Sequence, residues 1–309
     1  MIKSAVYAYL HRLEVSMKKA VVINDLSGFG KCSLTAAIPV LSALGVQCCP
    51  LATAVLTGQT GYPCYHCTDL TSMLPDYIDA WEKNHASFDA IYSGFLTGKE
   101  QISLVLEFLS HFHLPDGLLL VDPVMGDDGK VYPFFTPGLL EGMKELTRKA
   151  SIITPNLTEA CLLADIPEQT ILQCNSAEEL LALAESAAKK LRALAAVPQD
   201  VVITGVKCRT GASPVIYNIS ATADGISRHA TPFFDRSFSG TGDLFASVLC
   251  GCRMRDMSTE TAIGVAQTFL SHSIADTIVD DTPGRDGVNF ENHLIDLISA
   301  TAELTGPQK

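Results

Sequence analysis

Ser239-Gly240-Thr241-Gly242-Asp243 runs straight into an apolar stretch, residues 244–249. Two glycines flanking a threonine at the mouth of a helix leave several backbone N–H groups unpaired and open to close approach. The positive end of the helix dipole lies behind them, so the turn can hold an anion. Asp243 closes that turn, where a general base would face the anion. An ordinary helix N-cap accounts for the same residue types, because Thr or Asp before an apolar run is common.

A second group of oxygen donors follows an apolar run. Asp122-Pro123-Val124-Met125-Gly126-Asp127-Asp128-Gly129 holds three carboxylates. Magnesium favours such hard donors, usually one or two carboxylates completed by waters and substrate phosphates. A solvated Asp/Gly turn also fits. Thr154-Pro155-Asn156-Leu157-Thr158-Glu159 is a capping pattern opening a helix. Its threonine, amide and glutamate would serve equally well beside a metal-phosphate site. Gly28-Phe29-Gly30-Lys31-Cys32-Ser33 looks like a phosphate loop but fails the Walker spacing, because Asp25 stands where the first glycine belongs. It is read as a substrate contact. His111-Phe112-His113 ends a helix, where the dipole favours histidine, and is not read as a metal site.

These groups need a scaffold that brings them to one place. Apolar runs at 20–23, 50–56, 90–92, 118–121, 151–153 and 201–203 are short, continuous and rich in β-branched residues. Strands buried on both faces of a parallel sheet read this way. Helical periodicity fills the gaps, over about 34–44, 70–81, 101–111, 137–148, 157–164 and 177–194. The alternation predicts one α/β unit: a doubly wound, mainly parallel sheet with helices on both faces. A late hairpin is expected from 215–219 and 226–231, then three helices near 243–254, 259–277 and 290–302. Residues 1–16 carry no pattern and read as an extension, leaving 17–309 as a single domain. Small or polar groups follow all six strand ends, where ligands gather on such sheets.

The chain has 309 residues, 47% hydrophobic and 18% charged, which fits a soluble globular enzyme. A net charge of −12 disfavours nucleic acid and anionic membranes as partners. No apolar run approaches the roughly 18–20 residues that span a bilayer, and a cytoplasmic protein is expected. The ten cysteines lack framework spacing and read mostly as small apolar residues. Cys64-Tyr65-His66-Cys67 is one CxxC knuckle without a matching pair, so no structural zinc is expected there.

Gly240-Thr241-Gly242-Asp243-Leu244-Phe245 resembles the signature of the ribokinase superfamily, the ATP-dependent kinases of sugars and vitamin precursors. Asp122 to Asp127, Thr154-Pro155-Asn156 with Glu159, and Thr60-Gly61-Tyr62 resemble the pyridoxal/pyridoxamine kinase branch. The four motifs keep their order between residues 18 and 280. The resemblance implies that Asp243 takes the proton from a primary hydroxyl and that the amides of Gly240, Thr241 and Gly242 hold the transferring phosphoryl group. It implies that Asp122 and Glu159 order magnesium and its waters. Asp127 and Tyr132 would belong to a flap over the ATP phosphates, while Thr154, Asn156 and Thr204 line the nucleotide groove. Asp25 and Thr60 would meet the polar edge of a pyridine ring, with Phe95 against its face. ATP and Mg²⁺ are the implied cofactors, a homodimer is the implied assembly, and a need for a monovalent cation such as K⁺ stays open.

The chain departs from that branch in places. Asp25 stands where many pyridoxal kinases have serine, and Asp25-Leu-Ser-Gly-Phe-Gly30 is similar to the opening of hydroxymethylpyrimidine kinases. Gly205 follows Thr204 where a hydroxyl residue is frequent. Kinase activity on a B6 vitamer is therefore the leading expectation, with hydroxymethylpyrimidine kinase as the alternative and a non-catalytic nucleotide-binding regulator as the non-enzyme reading. No GxGxxG follows the first strand, which disfavours a Rossmann dehydrogenase. No arginine finger or Walker lysine is evident, leaving charge neutralisation to amides and metal.

Overall fold

Strand β1 (Lys19–Ser27) opens with Ala20, Val21, Val22 and Ile23, all fully buried. Successive side chains of a strand face opposite ways, so a run that is apolar at every position needs cover on both sides. Val21 and Ile23 enter one hydrophobic cluster, and Ala20 and Val22 enter another. The computed structural model describes residues 17–304 apart from 168, 211–212 and 235; the expected extension over 1–16 lies outside the described residues.

Parallel neighbours flank β1 on both sides, β2 (Gln47–Leu56) and β4 (Ala90–Ser93). Beyond β4 the parallel run continues through β5 (Leu118–Val121), β8 (Ile152–Ile153) and β9 (Asp200–Thr210). The hairpin strands β10 (Ser213–Thr222) and β11 (Gly225–Pro232) finish that side antiparallel, and β3 (Cys67–Asp69) finishes the other. The resulting nine-stranded order is β11-β10-β9-β8-β5-β4-β1-β2-β3. The winding reverses between β1 and β4, which is the switch point where such sheets open a crevice.

One face is covered by α1 (Ser33–Ala43), α8 (Thr241–Met254), α9 (Thr259–Val279) and α10 (Leu294–Leu304). The other is covered by α2 (Leu74–Lys83), α3 (Lys99–Phe112), α4 (Pro137–Lys149), α5 (Leu157–Leu163) and α7 (Ala177–Leu194), with Ile171 of the short α6 (Gln169–Gln173) beside them. The doubly wound, mainly parallel architecture expected from the alternating runs is the one observed.

Local features differ from the sequence reading: the helix expected near 290–302 opens as a 3₁₀ turn, Glu291–His293, and the short α6 was not expected. The helix expected from residue 70 begins as a 3₁₀ turn, Thr71–Met73, and becomes α-helical at Leu74, with Pro75 accommodated in its first turn. Strand β3 was not expected, because all three of its residues are exposed and no apolar alternation marks it. The Asp/Gly turn proves to be a miniature hairpin, β6 (Gly126–Asp127) and β7 (Lys130–Val131). Asp128 and Gly129 between them both have positive φ, the backbone that two-residue hairpins demand. Among the described residues no helix is long and apolar enough to cross a membrane.

Candidate active site

The side chain of Asn24, at the carboxyl end of β1, joins that strand to its neighbour and to a distant helix. Its Oδ1 accepts from the backbone N–H groups of Asp25 and Phe95, both at 3.0 Å. Its Nδ2 is thereby turned toward Asp243 and donates to Oδ1 at 3.1 Å. A Cβ on Gly94 would lie 2.4 Å from that Nδ2, so the end of β4 must be glycine for the amide to pass. The Ser33 N–H also donates to the Asp243 carboxylate. Burial, followed by the like charge of Asp25, nevertheless pushes the Asp243 carboxyl up to about 6. A base with that value is deprotonated near neutrality yet still takes a proton readily.

Asp243 stands in the first turn of α8, whose N-cap is Gly240. Gly240 has φ 78°, and a Cβ there would fall 1.9 Å from the Lys31 carbonyl oxygen. Glycine is required on both counts. No side chain caps this helix, so its first-turn amides keep their hydrogen-bonding capacity for something else. Cys32 sits close by, but burial and the charges of Asp243 and Asp25 push its thiol up to about 12. It is a small buried group here, not a nucleophile.

Across the cleft, Asp122 and Glu159 are both buried, and each raises the other's cost of ionisation or feels that of Asp243. Burial and then Asp243 push Asp122 up to about 7, against a hydrogen bond from the Thr154 hydroxyl at 3.1 Å. Glu159 is raised by burial first and by Asp122 second. Its carboxylate accepts from the N–H groups of Met125 at 3.0 Å and Asn156 at 2.9 Å. The Asn156 side chain returns the favour at the Glu159 N–H, completing a capping box, and its amide donates to the Gly126 carbonyl at 2.7 Å. The Gly129 N–H donates to the Thr158 hydroxyl at 2.9 Å. The miniature hairpin is therefore clamped onto the start of α5 by both of its ends.

A cleft of about 600 Å³ opens over these strand ends. It is lined by Asp122, Glu159, Asp127, Tyr132, Thr154, Asn156, Thr204 and the whole turn Gly240-Thr241-Gly242-Asp243. Every residue expected at phosphates, metal or nucleotide thus faces one space. The three expected at a pyridine ring do not line it. Asp25 is 6% exposed, its carboxylate accepting from the hydroxyls of Ser27 and Ser33. Thr60 is exposed, while its neighbours make the contacts: Gln59 donates to the Arg285 carbonyl at 2.8 Å, and Tyr62 donates to Asp286 at 2.6 Å. Phe95 is half-buried, edge-on to Phe134 with ring centroids 4.8 Å apart.

The cleft also holds cations that the sequence reading did not single out. Arg236, Arg285 and Lys207 also line the cleft. Arg236 is held by Asp281 and the Thr282 carbonyl, Arg285 lies 5.6 Å over the Tyr62 ring, and Lys207 pairs with Asp128 at 2.9 Å. No motif marks these cations: Lys207 comes from β9, Arg236 from the segment before α8 and Arg285 from the 3₁₀ turn Gly284–Asp286. Asn24 was legible only as one polar residue among several at a strand end.

Sheet order and cleft together define a ribokinase-like α/β protein. The sequence profile of phosphomethylpyrimidine kinases matches residues 30–283, and the chain belongs to that family. Its likenesses run through the pyridoxal kinase branch of the ribokinase superfamily. A Bacteroides thetaiotaomicron protein, provisionally assigned as a phosphomethylpyrimidine kinase and crystallised with pyridoxal, is 36% identical, with a TM-score of 0.81 over 91% of this chain and 96% of that one. Pyridoxal kinase from Lactobacillus plantarum is 27% identical, with a TM-score of 0.82 over 93% of this chain and 99% of that one. Pyridoxal kinase from Arabidopsis thaliana is 28% identical over 251 residues, 76% of either chain.

The crowded carboxylates make a stability prediction. With Asp122 near 7 and Asp243 near 6, the folded protein holds protons that an unfolded chain has already released. Stability therefore falls as pH rises from about 4 to about 7, the span between unfolded and folded carboxyl values. Thermal melts in buffer free of divalent metal should decline across that span, and Asp122→Asn should flatten the decline. Equal slopes for the two proteins would remove Asp122 from the account.

Proposed function

We propose that this protein transfers the γ-phosphoryl group of ATP to the 5′-hydroxymethyl group of a B6 vitamer: pyridoxal, pyridoxamine or pyridoxine. The observation that carries the reading is Asp243, held by Asn24 and the Ser33 amide beside the uncapped start of α8. The pyridoxal bound to the Bacteroides protein, and the pyridoxal kinases among its relatives, support the choice of acceptor.

In this reading the Asp243 carboxylate takes the proton of the acceptor hydroxyl as the oxygen attacks the phosphorus in line. The amides of Gly240, Thr241 and Gly242 receive the charge on the transferring group. Phosphoryl transfer asks mainly for positioning and charge neutralisation, and Arg236, Arg285 and Lys207 add to both. Asp122 and Glu159 suit a magnesium site. They are hard oxygen donors facing one cleft, and their mutual repulsion is what a divalent cation relieves. Magnesium, when bound, offsets the charge of the nucleotide phosphates. Asp127 and Tyr132 are read as a flap over those phosphates, and Thr154, Asn156 and Thr204 as the nucleotide groove. Asp25, Thr60 and Phe95 are kept as the acceptor side, reached through the loops around Gln59 and Phe95. A cytoplasmic homodimer is the expected form.

Hydroxymethylpyrimidine kinase is the second reading, favoured by the family profile and by the Asp25-Leu-Ser-Gly-Phe-Gly30 opening. A panel of acceptors separates the two. B6 vitamers should give the highest kcat/KM, and a tenfold preference for hydroxymethylpyrimidine, about 1.4 kcal/mol of transition-state binding, would reverse the assignment.

Asp243→Asn keeps the size and one acceptor oxygen but cannot accept the proton. Its kcat should fall by about 10²–10⁴-fold with little change in ATP affinity. Retention of more than about a tenth of kcat in a variant whose melt is unchanged rules out the base. Asp122→Asn should raise the magnesium concentration needed for half-maximal rate, because one hard donor loses its charge. An unaltered magnesium titration would make Asp122 a structural residue of its turn.

A further inference from the structure

We infer that the protein carries a second metal site, away from the cleft, built from His272, His293 and Asp296 and suited to a borderline divalent ion such as zinc. His272 and Asp276 lie one turn apart on α9, and His293 and Asp296 lie where the last 3₁₀ turn, Glu291–His293, passes into α10. One ligand atom from each of His272, His293 and Asp296 lies within 4.8 Å of the others. The two imidazole rings are tilted 46° to one another with centroids 5.7 Å apart.

Hydrogen bonding sets up the donor atoms. His293 Nε2 is 2.8 Å from Asp276 Oδ2, so the carboxylate accepts the ring proton there. In a neutral imidazole this leaves the Nδ1 lone pair bare. That nitrogen stands 3.6 Å from Asp296 Oδ2, an acceptor facing an acceptor. The same Asp296 oxygen is 2.9 Å from His272 Nδ1. Tetrahedral zinc with bonds of about 2.1 Å spaces its ligand atoms about 3.4 Å apart, which falls between these two separations. A carboxylate behind the far nitrogen of a ligating histidine is the usual outer support of a zinc site, fixing the tautomer and raising basicity. Asp276 occupies that place.

Binding takes the place of the proton between His272 Nδ1 and Asp296. That proton moves to His272 Nε2, on a side chain 55% exposed to water. Two nitrogens and one oxygen leave a fourth position for water. The same exposure gives an ion its way in. No thiol is part of the set, and the CxxC knuckle at Cys64 and Cys67 belongs to a different element.

The site would tie α10 to α9 and close the segment between them. That segment carries Arg285, which lines the cleft, and Asp286, which accepts from Tyr62. The alternative is a cluster of protonated histidines paired with aspartates and indifferent to metal.

The test uses full-length protein stripped with a chelator, with excess magnesium present to occupy the cleft carboxylates. Zinc is titrated by calorimetry, and thermal melts are recorded with and without it. One zinc per chain and a higher melting temperature are expected in wild type and in a Cys64→Ser/Cys67→Ser variant. His272→Gln and His293→Gln should each lose at least tenfold in affinity, and Asp276→Asn about tenfold, the lower end of what outer-shell partners are worth. Cobalt(II) in place of zinc should give visible bands without thiolate charge transfer. Equal zinc affinity and equal melting shifts in wild type and His272→Gln would overturn the site, as would a thiolate band that disappears in the cysteine variant.

Discussion

Four carboxylates, Asp25, Asp122, Glu159 and Asp243, gather at one end of the sheet, the first three buried and Asp243 half-buried, and each is raised by burial. Such crowding opposes folding unless each charge is met by a donor or a proton. Asp25 is met by two serine hydroxyls, Glu159 by backbone amides, Asp122 by one threonine, and Asp243 by Asn24 and the Ser33 amide. Donors do not cancel burial: Glu159 accepts from backbone amides and is still raised well above the ordinary carboxyl range, by burial first and Asp122 second. Asp122 has the fewest donors, one threonine hydroxyl, and burial and Asp243 push it up to about 7. A divalent cation held by Asp122 and Glu159, as in the proposed mechanism, would relieve the two carboxyls that burial and repulsion raise together.

The scaffold keeps these groups apart in sequence and together in space through its winding. Strand β1 sits between β2 and β4, so the reversal of direction falls beside Asn24. The doubly buried runs of β1, β4 and β5 made the parallel sheet legible without a structure, because nothing else explains apolar residues at every position of a short strand. The turn at Gly240 was legible as a helix start, while its residue types alone left an ordinary cap open; the Lys31 carbonyl that only a glycine can approach decides its shape.

Other parts of the site left no trace in the pattern. Asn24 matters through where its amide points, and that is set by the Gly94 and Phe95 backbone some 70 positions away. Arg236 and Arg285 are single charges in loops, indistinguishable from solvated surface until the chain closes around the cleft. Strand β3 escaped because hydrogen bonding to β2 decides it, while its side chains all face water. The acceptor side is the least legible region. Thr60, Phe95 and Asp25 were singled out by motif position. Asp25 and Phe95 have two serines and Phe134 as their immediate partners, and beside the exposed Thr60 it is the Gly61 N–H that donates to the Gln59 side chain.

Gly240 rests on the carbonyl of Lys31, and the Lys31 ammonium is tied at 2.9 Å to both Asn289 and Glu291. Three segments from the beginning, the last third and the near end of the chain therefore meet at a single point. A ribosome delivers them in that order, and domains fold as their chain emerges. The central strand is among the first pieces made, but the turn that would grip a phosphate has no seat for its neighbour's ammonium until almost the whole polypeptide exists. A chain cut short of Asn289 lacks the partners of the Lys31 ammonium, and one cut short of α8 also lacks much of the cover on one face of its central strands.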